Sequence, residues 1–207
     1  MNSDTFGHGL RYMLALRMDR KFSKIELSLK KDHGWTASPG FRIAAIDRGA
    51  IRFEFPRDWI CIPEEDSVKF YDCNPPADNC RLAVSNQRRL EIANRVPLDE
   101  LLTALAHDDL RGLHRTMEVV HQRKHSMELA WVEFQFNDSQ LKHDARSRFC
   151  VARGSGICAL VTFEFWQDDI DQFEPVWEHL MKTITLGEFI LDPTSGARIR
   201  RNNPETG

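Results

Sequence analysis

From Phe41 onward, apolar and polar residues alternate in short runs broken by turn formers, the pattern of a mostly antiparallel sheet. Phe41 to Ile46 and Ala50 to Phe55, joined by Asp47-Arg48-Gly49, predict a hairpin that ends at Pro56, because proline cannot donate to a ladder. A third strand is expected after Trp59. Val68 to Tyr71 and Arg81 to Ser85 predict a second hairpin around Asn74-Pro75-Pro76-Ala77-Asp78-Asn79, a stretch made almost wholly of turn formers. Met127 to Phe136 places Ala130, Val132, Phe134 and Phe136 on one strand face, and Arg146 to Arg153 and Ile157 to Trp166 flank the turn Gly154-Ser155-Gly156. Near the N-terminus, Ile25, Leu27 and Leu29 alternate with Glu26 and Ser28, which predicts one short strand docked on the body.

Two segments switch to the helical period. The first begins at Pro97, whose fixed φ and missing N–H suit a first turn, with Asp99 and Glu100 against the positive end of the macrodipole. Leu98, Leu101, Leu102 and Leu105 then share a face, and Gly112 is the expected stop. In the second, Asp171 and Glu174 have capping-box spacing. Phe173, Val176, Trp177, Leu180, Met181 and Ile184 step along one face until Gly187, and Pro175 falls in the first turn, where no donor is required. Strands, a helix, more strands and a closing helix predict α+β, with helices covering an antiparallel sheet.

Composition narrows the class without naming a function. The chain has 207 residues, 42% of them hydrophobic, 29% charged and 10% aromatic, values that exclude a disordered or low-complexity polypeptide. A net charge of −3 gives no bulk attraction to nucleic acid or anionic lipid, and no apolar run approaches the roughly 18–20 residues of a membrane span. Residues 1–40 hold seven basic and four acidic side chains, which leaves −6 for the remainder. We therefore expect a basic extension over 1–40, frayed in part or tethered to an acidic partner, then one domain over 41–187 and a tail over 188–207 with Arg198, Arg200 and Arg201. Tyr12 to Leu16 is pinched between Arg11 and Arg17, too short for a secretory core of roughly 7–15 residues, and five cysteines without a CxxC pair suit a reducing cytoplasm.

The candidate chemistry divides on period. His114, Glu118, His121 and His125 stand at i, i+4, i+7 and i+11, so on a helix they would form a stripe able to ligate zinc or iron. On a strand, Glu118 points away from His121 and the stripe dissolves, and the alternation of Met117, Val119 and His121 after Gly112 predicts the strand. Cys73 and Cys80 bracket one hairpin, and Cys150 and Cys158 flank another, positions open to a disulfide but expected to hold packed thiols. Cys150 with His143 and Asp144 carries no nucleophile signature. Arg153-Gly154-Ser155-Gly156 lacks the spacing and the following helix of a phosphate cradle. Asp168, Asp169, Asp171, Glu174 and Glu178 cluster at the start of the last helix, where they favour its macrodipole or face a basic partner.

Phe53-Glu54-Phe55-Pro56-Arg57-Asp58-Trp59 resembles the "aromatic, Pro, two residues, Trp" strand end of the PsbP-like fold family. That family includes the photosystem II extrinsic protein PsbP, a Ran-binding nuclear import factor and many bacterial proteins. The resemblance extends to the strand pair at Gly154-Ser155-Gly156 and to the closing helix before Thr185-Leu186-Gly187, so it spans roughly Phe41 to Gly187. It implies an α/β/α sandwich that binds proteins or assists assembly. The expected function is therefore a noncatalytic protein-binding or assembly module, with no catalytic, metal or cofactor residue assigned. The alternative is a metal sensor or small metal-dependent enzyme using the His114/Glu118/His121/His125 cluster.

Overall fold

The Phe41 hairpin forms as the alternation predicts, β1 (Phe41–Ile46) pairing antiparallel with β2 (Ile51–Pro56) from Phe41 opposite Pro56 to Ile46 opposite Ile51. These strands belong to a computed structural model that describes residues 24, 26, 33–87, 96–107, 118–124, 127–138, 141–192 and 194–198. The turn between them bends through left-handed conformations at Asp47, Arg48 and Gly49, with φ of 53°, 57° and 88°. Gly49 needs its missing side chain for space as well as for φ, since a Cβ there would strike the carbonyl oxygen of Glu188.

The large sheet has seven antiparallel strands among the described residues. Its spatial order is β3 (Ile60–Pro63), β4 (Val68–Tyr71), β5 (Cys80–Gln87), β9 (Ile157–Trp166), β8 (His143–Gly154), β7 (Met127–Asp138) and β6 (Val120–Lys124). Period two decides what each face holds. Val84, Val161, Cys150 and Trp131 stand in one register row and enter one core, whereas the next row, Ser85, Leu160, Val151 and Ala130, faces the other way. The second face receives α1 (Leu98–His107) through Leu98, Leu101 and Leu102, which join Ala130, Val132, Phe134, Phe149, Val151, Cys158 and Leu160. The first face receives α2 (Ile170–Thr183) through Phe173, Trp177, Leu180 and Met181, together with Ile51, Phe53 and Phe55 from the small sheet. That small sheet is β1, β2 and β10 (Thr185–Leu186), and a ribbon of β11 (Ile190–Asp192) and β12 (Ala197–Arg198) follows it. The chain is thus α+β, sheet-rich, with two helices among the described residues.

Several expectations need adjustment. The capping box does not form: α2 starts at Ile170, its N-cap Asp169 makes no side-chain cap bond, and Glu174 turns instead to Arg148. A buried guanidinium is a stronger draw for that carboxylate than a neutral backbone N–H. Gly187 does not close the helix, because Ile184 is already extended (φ −60°, ψ 132°) and leads straight into β10. The packed body also begins before Phe41, with His33 and Trp35 buried. The Ile25–Leu29 strand and the Gly112 stop rest on positions outside the described residues, apart from Glu26, which lies in no regular element.

Candidate functional site

Of the four residues of the alternative metal stripe, the two described do not share a helix. His121 sits in β6, on the face toward α1, with its Nε2 2.9 Å from Asp99 of that helix, while Glu118 lies before the strand in no regular element. The period is two where it can be read, which removes the geometry the stripe required. His114 and His125 lie outside the described residues, and no group of three or more possible ligands occurs among the described ones.

The sulfur candidates disperse, whereas Asp168, Asp169 and Asp171 stay together at the start of α2. All five thiols are free, and Cys150 and Cys158 point to opposite faces of the large sheet. Burial pushes the Cys158 thiol up to about 11 and Cys150 higher still, which disfavours the thiolate at both, and both pack among apolar neighbours. His143 is remote from Cys150, stacked on Trp166 at 4.9 Å between centroids and 3.2 Å from Asp168. Of the acidic cluster, Asp168 is thus paired with an imidazole and Glu174 with Arg148.

A cleft that sequence reasoning missed gathers more polar chemistry. It has a volume of about 270 Å³ and lies on the outer face of the small sheet. Alternation along β2 creates it: Ile51, Phe53 and Phe55 go into the core, so Arg52 and Glu54 must face out. Gly34, Trp35 and Thr36 form one wall, and Lys182 and Thr183 from the end of α2, with Thr185 of β10, form the other. The Trp35 wall is itself fixed, since the Trp35 backbone N–H donates to His33 Nδ1 at 3.0 Å and the His33 ring fills the space that a side chain on Gly196 would need.

Glu54, Thr183 and Arg52 along this cleft are held in defined poses. Glu54 Oε2 accepts from the Ser38 N–H at 3.1 Å and lies 2.9 Å from His179 Nε2, and the His179 ring stacks on Phe41 at 3.8 Å. The Glu54 N–H, left without a strand partner where β10 ends, donates to Thr183 Oγ1 at 3.1 Å, and that hydroxyl donates to the His179 carbonyl at 2.9 Å. Arg52 is gripped by its Nε, which lies 3.2 Å from both Thr185 Oγ1 and Glu188 Oε2, while its Cζ sits 5.0 Å from the centre of the Trp35 ring. A cation held over an aromatic face by one nitrogen keeps its remaining N–H groups oriented.

The Glu54 pair has a consequence for acid stability. Burial raises the carboxyl pKa, but the bonds from His179 and the Ser38 amide outweigh it and leave the group below its usual value. A depressed folded value means that the contribution is complete above the unfolded pKa of about 4.3 and disappears as pH falls through the folded one. Glu54→Gln is expected to lower stability at neutral pH and to flatten the acid limb in urea melts below about pH 4. A variant whose acid limb runs parallel to that of the unmodified chain would count against the pair.

With this geometry in place, comparison gives the family. The chain belongs to the Alr1449 family, whose model matches residues 42–190. It is 41% identical over 175 residues to the uncharacterized protein alr1449 of Nostoc sp., covering 84% of this chain and 91% of that protein. Among solved structures, cyanobacterial PsbP (CyanoP) of Synechocystis sp. matches with a TM-score of 0.52 at 11% identity, over 74% of this chain and 96% of that one. A protein of Bacteroides thetaiotaomicron matches with a TM-score of 0.51 at 13% identity, over 72% of this chain and 49% of that one. At these identities the likeness is one of fold, and the fold is PsbP-like.

Proposed function

We propose that this chain is a noncatalytic module that binds, or assists the assembly of, another protein. The observation that carries this reading is the state of the groups beside the cleft: His179 is committed to Glu54 through Nε2 and to Phe41 through its ring, a fixed strut between α2 and β2. The guanidinium of Arg52, stacked and anchored, offers recognition rather than proton transfer. The layers are read as an α/β/α sandwich, with residues 41–187 as the domain and the 33–36 segment and the β11–β12 ribbon packed against it. Five free thiols suit a reducing compartment.

The test is affinity capture of the tagged full chain from its native cells, followed by crosslinking and metal analysis. One protein recovered in stoichiometric amount, and crosslinked to the small-sheet face, is the expected result. A stoichiometric transition metal lost in His121→Ala, or no protein recovered at any ionic strength, would overturn it.

A further inference from the structure

We propose that the cleft on the outer face of the small sheet binds a carboxylate carried next to an apolar group, such as the C-terminal residue of a peptide. The proposal rests on the reading of this chain as a protein-binding module and names what that module grips.

The argument begins with the unused valence of Arg52. Its Nε donates to Thr185 Oγ1 and lies 3.2 Å from Glu188 Oε2, and among the described residues its two terminal nitrogens meet no hydrogen-bond or ion-pair partner. Arg52 lines the cleft and its guanidinium lies over Trp35, so its terminal nitrogens form a planar donor pair already held in place. Carboxylates match that planar pair with two parallel bonds, and little side-chain freedom is left to lose. Lys182, exposed on the last turn of α2, adds a second cation to the same lining.

The carboxylates of the wall select the ligand's charge. Glu54 lines the cleft and Glu188 lies 3.2 Å from the Arg52 Nε, so the two carboxylates cancel the charges of Arg52 and Lys182, and they repel a dianion such as phosphate more strongly than a singly charged carboxylate. Glu54 makes no ion pair with Arg52 among the described residues, and its Oε2 is held by His179 and the Ser38 N–H. The Trp35 ring and Ile43 supply an apolar wall beside these donors, and a volume of about 270 Å³ has room for one medium side chain and its carboxylate.

The probe is N-acetyl-leucine, titrated into the isotope-labelled full chain while the Arg52 Nε–H and Trp35 indole N–H signals are followed by NMR. Both signals are expected to move saturably at millimolar probe, N-acetyl-leucinamide is expected to leave them in place, and inorganic phosphate is expected to bind more weakly. Arg52→Met should weaken binding about tenfold or more, the loss expected of a charge-assisted pair. Because that variant also removes a packed side chain, Lys182→Met serves as the second. It is exposed and should leave thermal unfolding unchanged while weakening binding by about two- to fivefold. Equal shifts with the amide, tighter binding of phosphate, no saturable shift, or unchanged affinity in both variants would each overturn the assignment. If a protein partner is still captured when the carboxylate fails to bind, the cleft assignment falls and the module reading stands. Carboxylate binding without any captured partner is the reverse case.

Discussion

Trp177→Ala is expected to cost about 3–5 kcal/mol of folding stability, among the largest losses available to a single substitution in this chain. Trp177 is 1% exposed at the centre of the inner face of α2, where it meets Trp131 edge-on at 5.5 Å, Phe163 at 5.5 Å and Arg148 at 5.4 Å from its ring centre. Truncation removes the transfer energy of the indole and leaves a hole bounded by a sheet that seven paired strands keep from collapsing inward. Trp177→Phe, which keeps a ring against Phe163, should lose distinctly less. Urea melts followed by far-UV circular dichroism read both. A loss below about 1 kcal/mol for the Ala variant would mean that α2 is not packed as described.

That Trp177 sits in the core was legible from residue order alone, and the reason is local. The apolar positions of α2 recur at helical spacing over fourteen residues, and the strands of the large sheet alternate cleanly enough for their partners to follow from turn chemistry. The Gly154-Ser155-Gly156 turn fixed a register that runs from Gly154 opposite Ile157 to Ala145 opposite Trp166. What local pattern cannot carry is the meeting of distant segments. Glu54 and His179 are 125 positions apart, and Arg52 and Thr185 are 133 apart, so the cleft they build has no sequence spacing to read. Alternation did place Arg52 and Glu54 on one face of β2, but the identity of what covered that face depended on His33 and Trp35 folding back, in a segment whose basic charge reads as an extension. The capping-box spacing of Asp171 and Glu174 misled for a related reason. It is a local signal, and the carboxylate it relied on was claimed by an arginine 26 positions away.

Arg148→Ala should be nearly as damaging as the loss of Trp177, at about 3–5 kcal/mol, although a charged residue in a strand ordinarily marks the solvent side. Alternation gives the reason for its burial: Arg148 lies in register with Glu133 on one side and Phe163 on the other, on the face that α2 covers, and it is 3% exposed. Its Nε donates to Glu133 Oε2 at 2.7 Å, its Nη2 reaches Glu174 of α2, and its Cζ lies 5.4 Å from the ring centres of Trp131, Phe165 and Trp177. Arg146 donates to the other oxygen of Glu133 and to Gln167, so one carboxylate is shared by two guanidiniums. Such a network contributes little net stability against a well-packed apolar replacement, yet breaking it from one side is costly because the partner charge remains. Removing Arg148 leaves Glu133 with a single cation and a void among three aromatic rings. Glu133→Ala in the Arg148→Ala background should therefore cost less than it does alone, with a coupling of at least about 1 kcal/mol in a double-mutant cycle read by urea melts. Strict additivity would mean that the two side chains stabilise the fold independently, and that α2 is held to the sheet by its apolar face without help from the charge pair.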